Sequence, residues 1–164
     1  MNELLQNFVE SLREELKQYG ELLALLDAQQ EQVVRRLADE LGETVSAINS
    51  QGEVIQAARR ERDQRRRELA RSLLLPDETL IAQVIPALPG SYRPLVSALV
   101  SENNHLLARV QQRARRNHIL LSRSLELMGQ FINSLCAVGV PTYNHAGTMA
   151  PALSSGRALY EAVG

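Results

Sequence analysis

The stretch from Ser91 to Val138, SYRPLVSALVSENNHLLARVQQRARRNHILLSRSLELMGQFINSLCAV, decides the fold. Within it Leu99, Asn103, Leu106, Val110, Ala114, Asn117, Leu121, Leu125, Met128, Ile132 and Leu135 follow one another at steps of three or four residues. The mean step, about 3.6, is the period of a straight α-helix. One face is therefore apolar, interrupted by two asparagines and an alanine. The other carries Arg109, Arg113, Arg115, Arg116 and Arg123. A single helix cannot bury such a stripe, so partner helices of similar length are expected.

The rest of the chain supplies them. Leu5, Phe8, Leu12, Leu16, Tyr19, Leu23, Leu26, Gln30, Val33, Leu37 and Leu41 repeat the same period from a start near Asn2. Gly20 inside this stripe costs about 1 kcal/mol against Ala, too little to break it. Gly42 is the expected break, with Thr44 as cap of the second helix. That helix carries Val45, Ile48, Gly52, Ile55, Ala58, Leu69 and Leu73. Folding the two helices back about Gly42 sets Glu10, Glu14, Glu15 and Glu21 beside Arg71, Arg67, Arg66 and Arg60. This charge match selects an antiparallel hairpin, the arrangement that a short connection also requires.

Pro76 stops the second helix, and Asp77 is placed to cap a short third one holding Leu80, Ile81, Val84 and Ile85. Pro86, Pro89 and Gly90 end it. Ser91 is placed to cap the long helix, with Pro94 in the first turn, where no intrahelical donor is lost. Gly139 and Pro141 close the long helix. The predicted fold is all-α: an antiparallel bundle or coiled-coil hairpin of three long helices and one short one, over residues 1–140. Residues 141–164, with Gly147, Pro151, Ser154, Ser155 and Gly156, read as a flexible tail able to bind a partner.

Composition narrows the function. The chain has 164 residues, 4% aromatics, no Trp and a net charge of −1, which suits one helical domain packed through Leu, Val and Ala. Near-neutral charge favours neither nucleic acid nor an anionic membrane. The single cysteine, Cys136, excludes an internal disulfide and fits a reducing compartment. The N-terminus has no secretory pattern, and no uncharged apolar run reaches the ~18 residues that span a bilayer. The expected location is the cytoplasm.

No residue pattern points to catalysis. His105, His118 and His145 lack a chelating spacing, so no metal site is expected, and no phosphate loop or nucleophile constellation implies a cofactor. The chain reads as a non-enzyme. The arginines from Arg59 to Arg71 are interrupted by Glu61, Asp63 and Glu68 and lack aromatics for base stacking. They read as a solvated or salt-bridged helix face, with a structural or RNA-binding hairpin kept as the alternative. Asn103 and Asn117, two heptads apart, read as amides that set helix register. Leu153, Leu159, Tyr160 and Val163 give the tail apolar anchors that a purely solvating segment does not need.

Several segments resemble the FlgN family of flagellar export chaperones. Leu22-Leu23-Ala24-Leu25-Leu26 followed by Gln29-Gln30-Glu31-Gln32 is similar to the family's first helix, and Gln51 to Leu73, with Glu61-Arg62 and Arg65-Arg66-Arg67, to its second. Glu102 to Leu107 through Arg116 to Leu121 resembles its asparagine-bearing long helix. Thr142-Tyr143-Asn144-His145-Ala146-Gly147 resembles its Thr-Tyr…Gly tail signature. The resemblance implies a type III export chaperone for hook–filament junction proteins of the FlgK and FlgL type, which prevents their premature assembly and delivers them to the export gate. It further implies cargo binding beyond Pro141, where the apolar Leu153, Leu159, Tyr160 and Val163 are the expected anchors, and gate docking through Tyr143. Self-association stays open.

Overall fold

The structure, a computed structural model, describes residues 2–137. All the regular structure described is helical: α1 (Asn2–Arg35), α2 (Ala38–Ser72), α3 (Ile81–Val84), a 3-10 turn (Ile85–Ala87) and α4 (Arg93–Ala137). Residues 1–121 form one compact unit, and a second begins at Ser122. The expected all-α class, with three long helices and a short one, is what the described residues show. The proposed boundary at residue 140 lies outside them.

The first reversal falls earlier than Gly42. α1 ends at Arg35 and α2 starts at Ala38, so Gly42 and Thr44 lie inside α2. The turn is a Schellman motif: Arg36 N–H donates to Val33 O (3.3 Å) and Leu37 N–H to Gln32 O (3.0 Å). Arg36 takes the left-handed conformation, φ 60°, that glycine usually fills. Arg35 in the last turn of α1 and Asp39 and Glu40 in the first of α2 suit the helix dipoles on both sides.

The end of α2 repeats the device. Leu74 N–H donates to Arg71 O and Leu75 N–H to Ala70 O, with Leu74 at φ 59°. Asp77 does not cap α3. Its carboxylate accepts from Arg71 Nε (2.7 Å), and Gln83 Oε1 instead accepts the Leu80 N–H before α3 (3.2 Å). α4 begins two residues after Ser91, with Pro94 in its first turn as its missing N–H requires.

Two apolar clusters hold the helices of residues 1–121 together. The first joins Leu5, Phe8, Val9 and Leu12 of α1 to Leu69 of α2, Val84 and Leu88 around the 3-10 turn, and Val96 of α4. It places the start of α1 beside the end of α2 and the start of α4. The second joins Tyr19, Leu23 and Leu26 to Ile55 of α2 and Val110 of α4. α1 and α2 are antiparallel, whereas α4 runs in the direction of α1.

Two substitutions test the turn assignment in opposite senses. Gly42 is helical and a Cβ there would meet nothing within 4 Å. Gly42→Ala is therefore expected to raise stability by about 0.5–1 kcal/mol in a denaturant melt. Leu74 is 95% exposed and loses little packing on truncation. A left-handed residue with a Cβ costs about 1–2 kcal/mol, so Leu74→Gly is expected to raise stability too, where glycine would weaken an ordinary helical position.

A buried polar layer and an exposed apolar helix face

Glu15 lies on the buried side of α1 and is 2% exposed. A carboxylate removed from water needs partners, because unpaired burial of a charge is strongly unfavourable. α2 supplies them. Arg62 Nη1 donates to both Glu15 oxygens (3.0 and 2.9 Å), and Arg59 Nε lies 3.7 Å from Oε1. Tyr19, one turn along α1, donates its hydroxyl to Glu15 Oε1 (2.8 Å) and accepts from Arg59 Nε (2.7 Å). The Arg59 guanidinium carbon is 5.5 Å from the centre of the Tyr19 ring. Burial, with the Glu15 hydrogen bond beside it, pushes the Tyr19 phenol above its ordinary value of 10.0.

This layer corrects the pairing expected from charge alone. Glu15 meets Arg62 and Arg59 rather than Arg66, a shift of about one turn that follows from the earlier reversal of the chain. Arg66 Nη1 instead donates to the carbonyls of Asp77 (2.7 Å) and Thr79 (2.5 Å). Arg71 pairs with Asp77, whose carboxyl it holds below the usual range. Glu10 pairs with Arg13 and Glu21 with Lys17 on α1 itself. Arg65 spans Glu61 and Glu68 on α2. Arg59 and Arg62 thus hold the α1–α2 hairpin, and Arg66 and Arg71 the turn after α2.

The two asparagines of α4 both face α1. Asn103 Nδ2 donates to Leu12 O (3.0 Å), and Asn117 Nδ2 donates to Leu26 O (2.7 Å) and Gln29 Oε1 (2.9 Å). Both contacts to a carbonyl join residues 91 apart in sequence, which is why α1 and α4 must be parallel. Arg113 adds an ion pair to Asp27 (2.7 Å) beside them.

The apolar stripe of α4 changes character along its length. Val110 is buried and Leu99, Leu106 and Leu107 are packed against the clusters. From Leu125 to Ile132 the stripe's members lie open: Leu125 is 69% exposed, Met128 61% and Ile132 57%, and Leu127 is exposed as well. Sequence periodicity gave these residues the same role as Leu99 and Val110; exposure is what separates them. Tyr143, Leu153, Leu159, Tyr160 and Val163 lie outside the described residues.

Among the described residues no group of three or more His, Cys, Asp or Glu is placed to hold a metal ion, and no helix is long and apolar enough to cross a membrane. A model of the FlgN protein family matches residues 1–151. No curated protein and no solved structure matches the chain.

Glu15→Ala is expected to lower stability by about 3 kcal/mol in guanidinium titrations, since it leaves half-buried arginines short of a partner. Tyr19 gives a second test through alkaline pH. Its raised value means that the unfolded chain loses this proton first. Its contribution is therefore complete below about pH 10 and is lost as pH rises through the folded value. Tyr19→Phe is expected to flatten the fall in stability above pH 10. Absorbance at 295 nm would show one tyrosine of the wild type ionising late and that component missing from the variant.

Proposed function

Because this chain belongs to the FlgN family of flagellar export chaperones, we propose that its cargo is the terminal helices of hook–filament junction proteins of the FlgK and FlgL type. It holds them unassembled in the cytoplasm and delivers them to the export gate. The family is one of chaperones rather than of enzymes. The observation that carries this reading is the open face of Leu125, Met128 and Ile132 on α4. Three large apolar side chains on successive turns match the spacing with which an amphipathic partner helix presents its own.

The tail extends the same logic. Leu153, Leu159, Tyr160 and Val163 are proposed as further apolar anchors for cargo, and Tyr143 as the contact to the export gate. Ordering such a segment on binding costs entropy, which keeps a complex releasable without a nucleotide site. Asn103 and Asn117 are proposed to set the register of α4 on α1. Their replacement by Leu is expected to preserve or raise stability while letting the protein populate more than one helix pairing or oligomer, read by light scattering.

Calorimetry with a peptide from the C-terminal helix of a FlgK-type protein tests the cargo site. Relative to the intact chain, Leu125→Ser/Met128→Ser/Ile132→Ser is expected to weaken binding at least about ten-fold, roughly 1.4 kcal/mol or more. Leu159→Asp/Val163→Asp is expected to weaken it as well, with helicity unchanged by circular dichroism. Full binding by both variants would remove the cargo reading. Tyr143→Ala is expected to spare peptide binding and weaken binding to the export gate. Equal loss of both would end the proposed division of labour.

A further inference from the structure

The outer face of α2 changes sign midway. From Ala38 to Ala58 its four charged residues are all acidic; from Arg59 to Ser72 seven arginines stand against three acids. Along one line of the helix Asp39, Glu43 and Glu53 are followed by Arg60, Arg67 and Arg71, and all six are exposed. Ser46, Ser50, Ala57 and Gln64 fill the turns between them, exposed as well, so the line runs unbroken at a mean step of about 3.6 residues. It lies away from Ile55 and Leu69, which pack into the two apolar clusters.

The fold itself makes little use of these charges. Among the described residues the side chains of Asp39, Glu43, Glu53 and Arg67 have no hydrogen bond or ion pair. Arg60 bonds only to the Gln56 carbonyl (3.2 Å), and Arg71 holds Asp77. The helix dipole favours Asp39 and Arg71 in the terminal turns, but its effect fades before Glu43, Glu53, Arg60 and Arg67. Their positions are symmetric about residue 55: Asp39 and Arg71 are equally far from it, as are Glu43 and Arg67, Ser46 and Gln64, and Ser50 and Arg60.

We propose that two copies of the chain associate through the outer faces of their α2 helices, antiparallel about a two-fold axis at residue 55. Glu43 then meets the partner's Arg67 and Asp39 the partner's Arg71, each pair occurring twice, as an isologous interface requires. Glu53 comes within one turn of the partner's Arg60. The small Ser46, Ser50 and Ala57 let the two backbones approach. A parallel pairing would set acid on acid and arginine on arginine. An amphipathic helix finds no large apolar side chain on this line, and a nucleic acid or anionic membrane is repelled along its acidic half. The occupant that fits carries the same charges in reverse order, which is this helix turned around. The contacts are ionic or between small groups, so the association is weak and salt-sensitive. It shares no residue with the Leu125–Ile132 face or the tail, so it stands or falls separately from the cargo reading.

The test is sedimentation equilibrium of the full-length chain over a concentration series. At about 50 mM salt the wild type is expected to show a monomer–dimer equilibrium, weakened about ten-fold or more at about 0.5 M. Glu43→Arg and Arg67→Glu are each expected to be monomeric, with helicity unchanged by circular dichroism because neither side chain has a partner within the fold. An equimolar mixture of the two variants is expected to dimerise again, since both contacts between positions 43 and 67 then join opposite charges. Leu125→Ser/Met128→Ser/Ile132→Ser is expected to dimerise as the wild type does. A wild type that stays monomeric throughout, a single variant that dimerises undiminished, or a mixture that fails to recover would overturn the interface. Loss of the dimer in the triple Ser variant would move self-association to the apolar face and overturn it too.

Discussion

The burial of one carboxylate constrains the helices of residues 1–121 more than any other contact. Glu15 sits between two apolar clusters, where it would be intolerable without compensation. Arg62 reaches both of its oxygens from the opposite helix, and Tyr19 ties Arg59 to the same point. Sliding α2 by one turn would leave the carboxylate facing Arg66 or Ala58, and Arg66 is already bound to the carbonyls of Asp77 and Thr79. The apolar clusters supply most of the driving force, since burying each Leu or Phe contributes about 1.5–3 kcal/mol. They do so with little discrimination between neighbouring registers of leucine-rich helices. The ionic layer discriminates.

The buried polar contacts of α4 are neutral instead, with the more exposed Arg113–Asp27 ion pair beside them. Two carboxamides, two heptads apart, meet two α1 carbonyls two heptads apart. Each bond contributes only about 1 kcal/mol net, but a shifted pairing would bury both amides against apolar side chains without partners. A buried carboxylate on one interface and buried asparagines on the other make the two pairings of α1 chemically distinct. α2 and α4 therefore cannot exchange places on α1.

Much of this was legible in the sequence. The 3.6-residue period identified the long helices, Pro94 marked the start of the last, and the asparagines stood out as breaks in an apolar stripe. What misled was punctuation. Gly42 looked like a break but is helical, whereas the true reversals place Arg36 and Leu74 in the left-handed conformation. Their cost is met by the two backbone hydrogen bonds of each Schellman turn and by packing on either side, which no local signal reveals. The partner of Glu15 was lost with the turn, because moving the reversal moves the whole register. Nor does periodicity reveal exposure: Leu99 and Leu125 belong to one stripe, and only the presence of neighbouring helices tells them apart.

That last distinction bears on what a chaperone of this family requires. A helical protein that buried its whole stripe would be more stable but would have nothing apolar to offer an amphipathic cargo. Among the described residues the specific contacts, ionic and carboxamide alike, fall within residues 1–121, while Leu125, Leu127, Met128 and Ile132 are open. Nonspecific apolar surface is a hazard when it is broad, because it recruits copies of the same chain. Carried on successive turns of one helix by Leu125, Met128 and Ile132, with Arg123 and Glu126 exposed beside it, the proposed cargo face suits a partner that brings a matching narrow stripe. Rigidity in the paired region and economy of open surface on α4 are thus two sides of one distribution of residues.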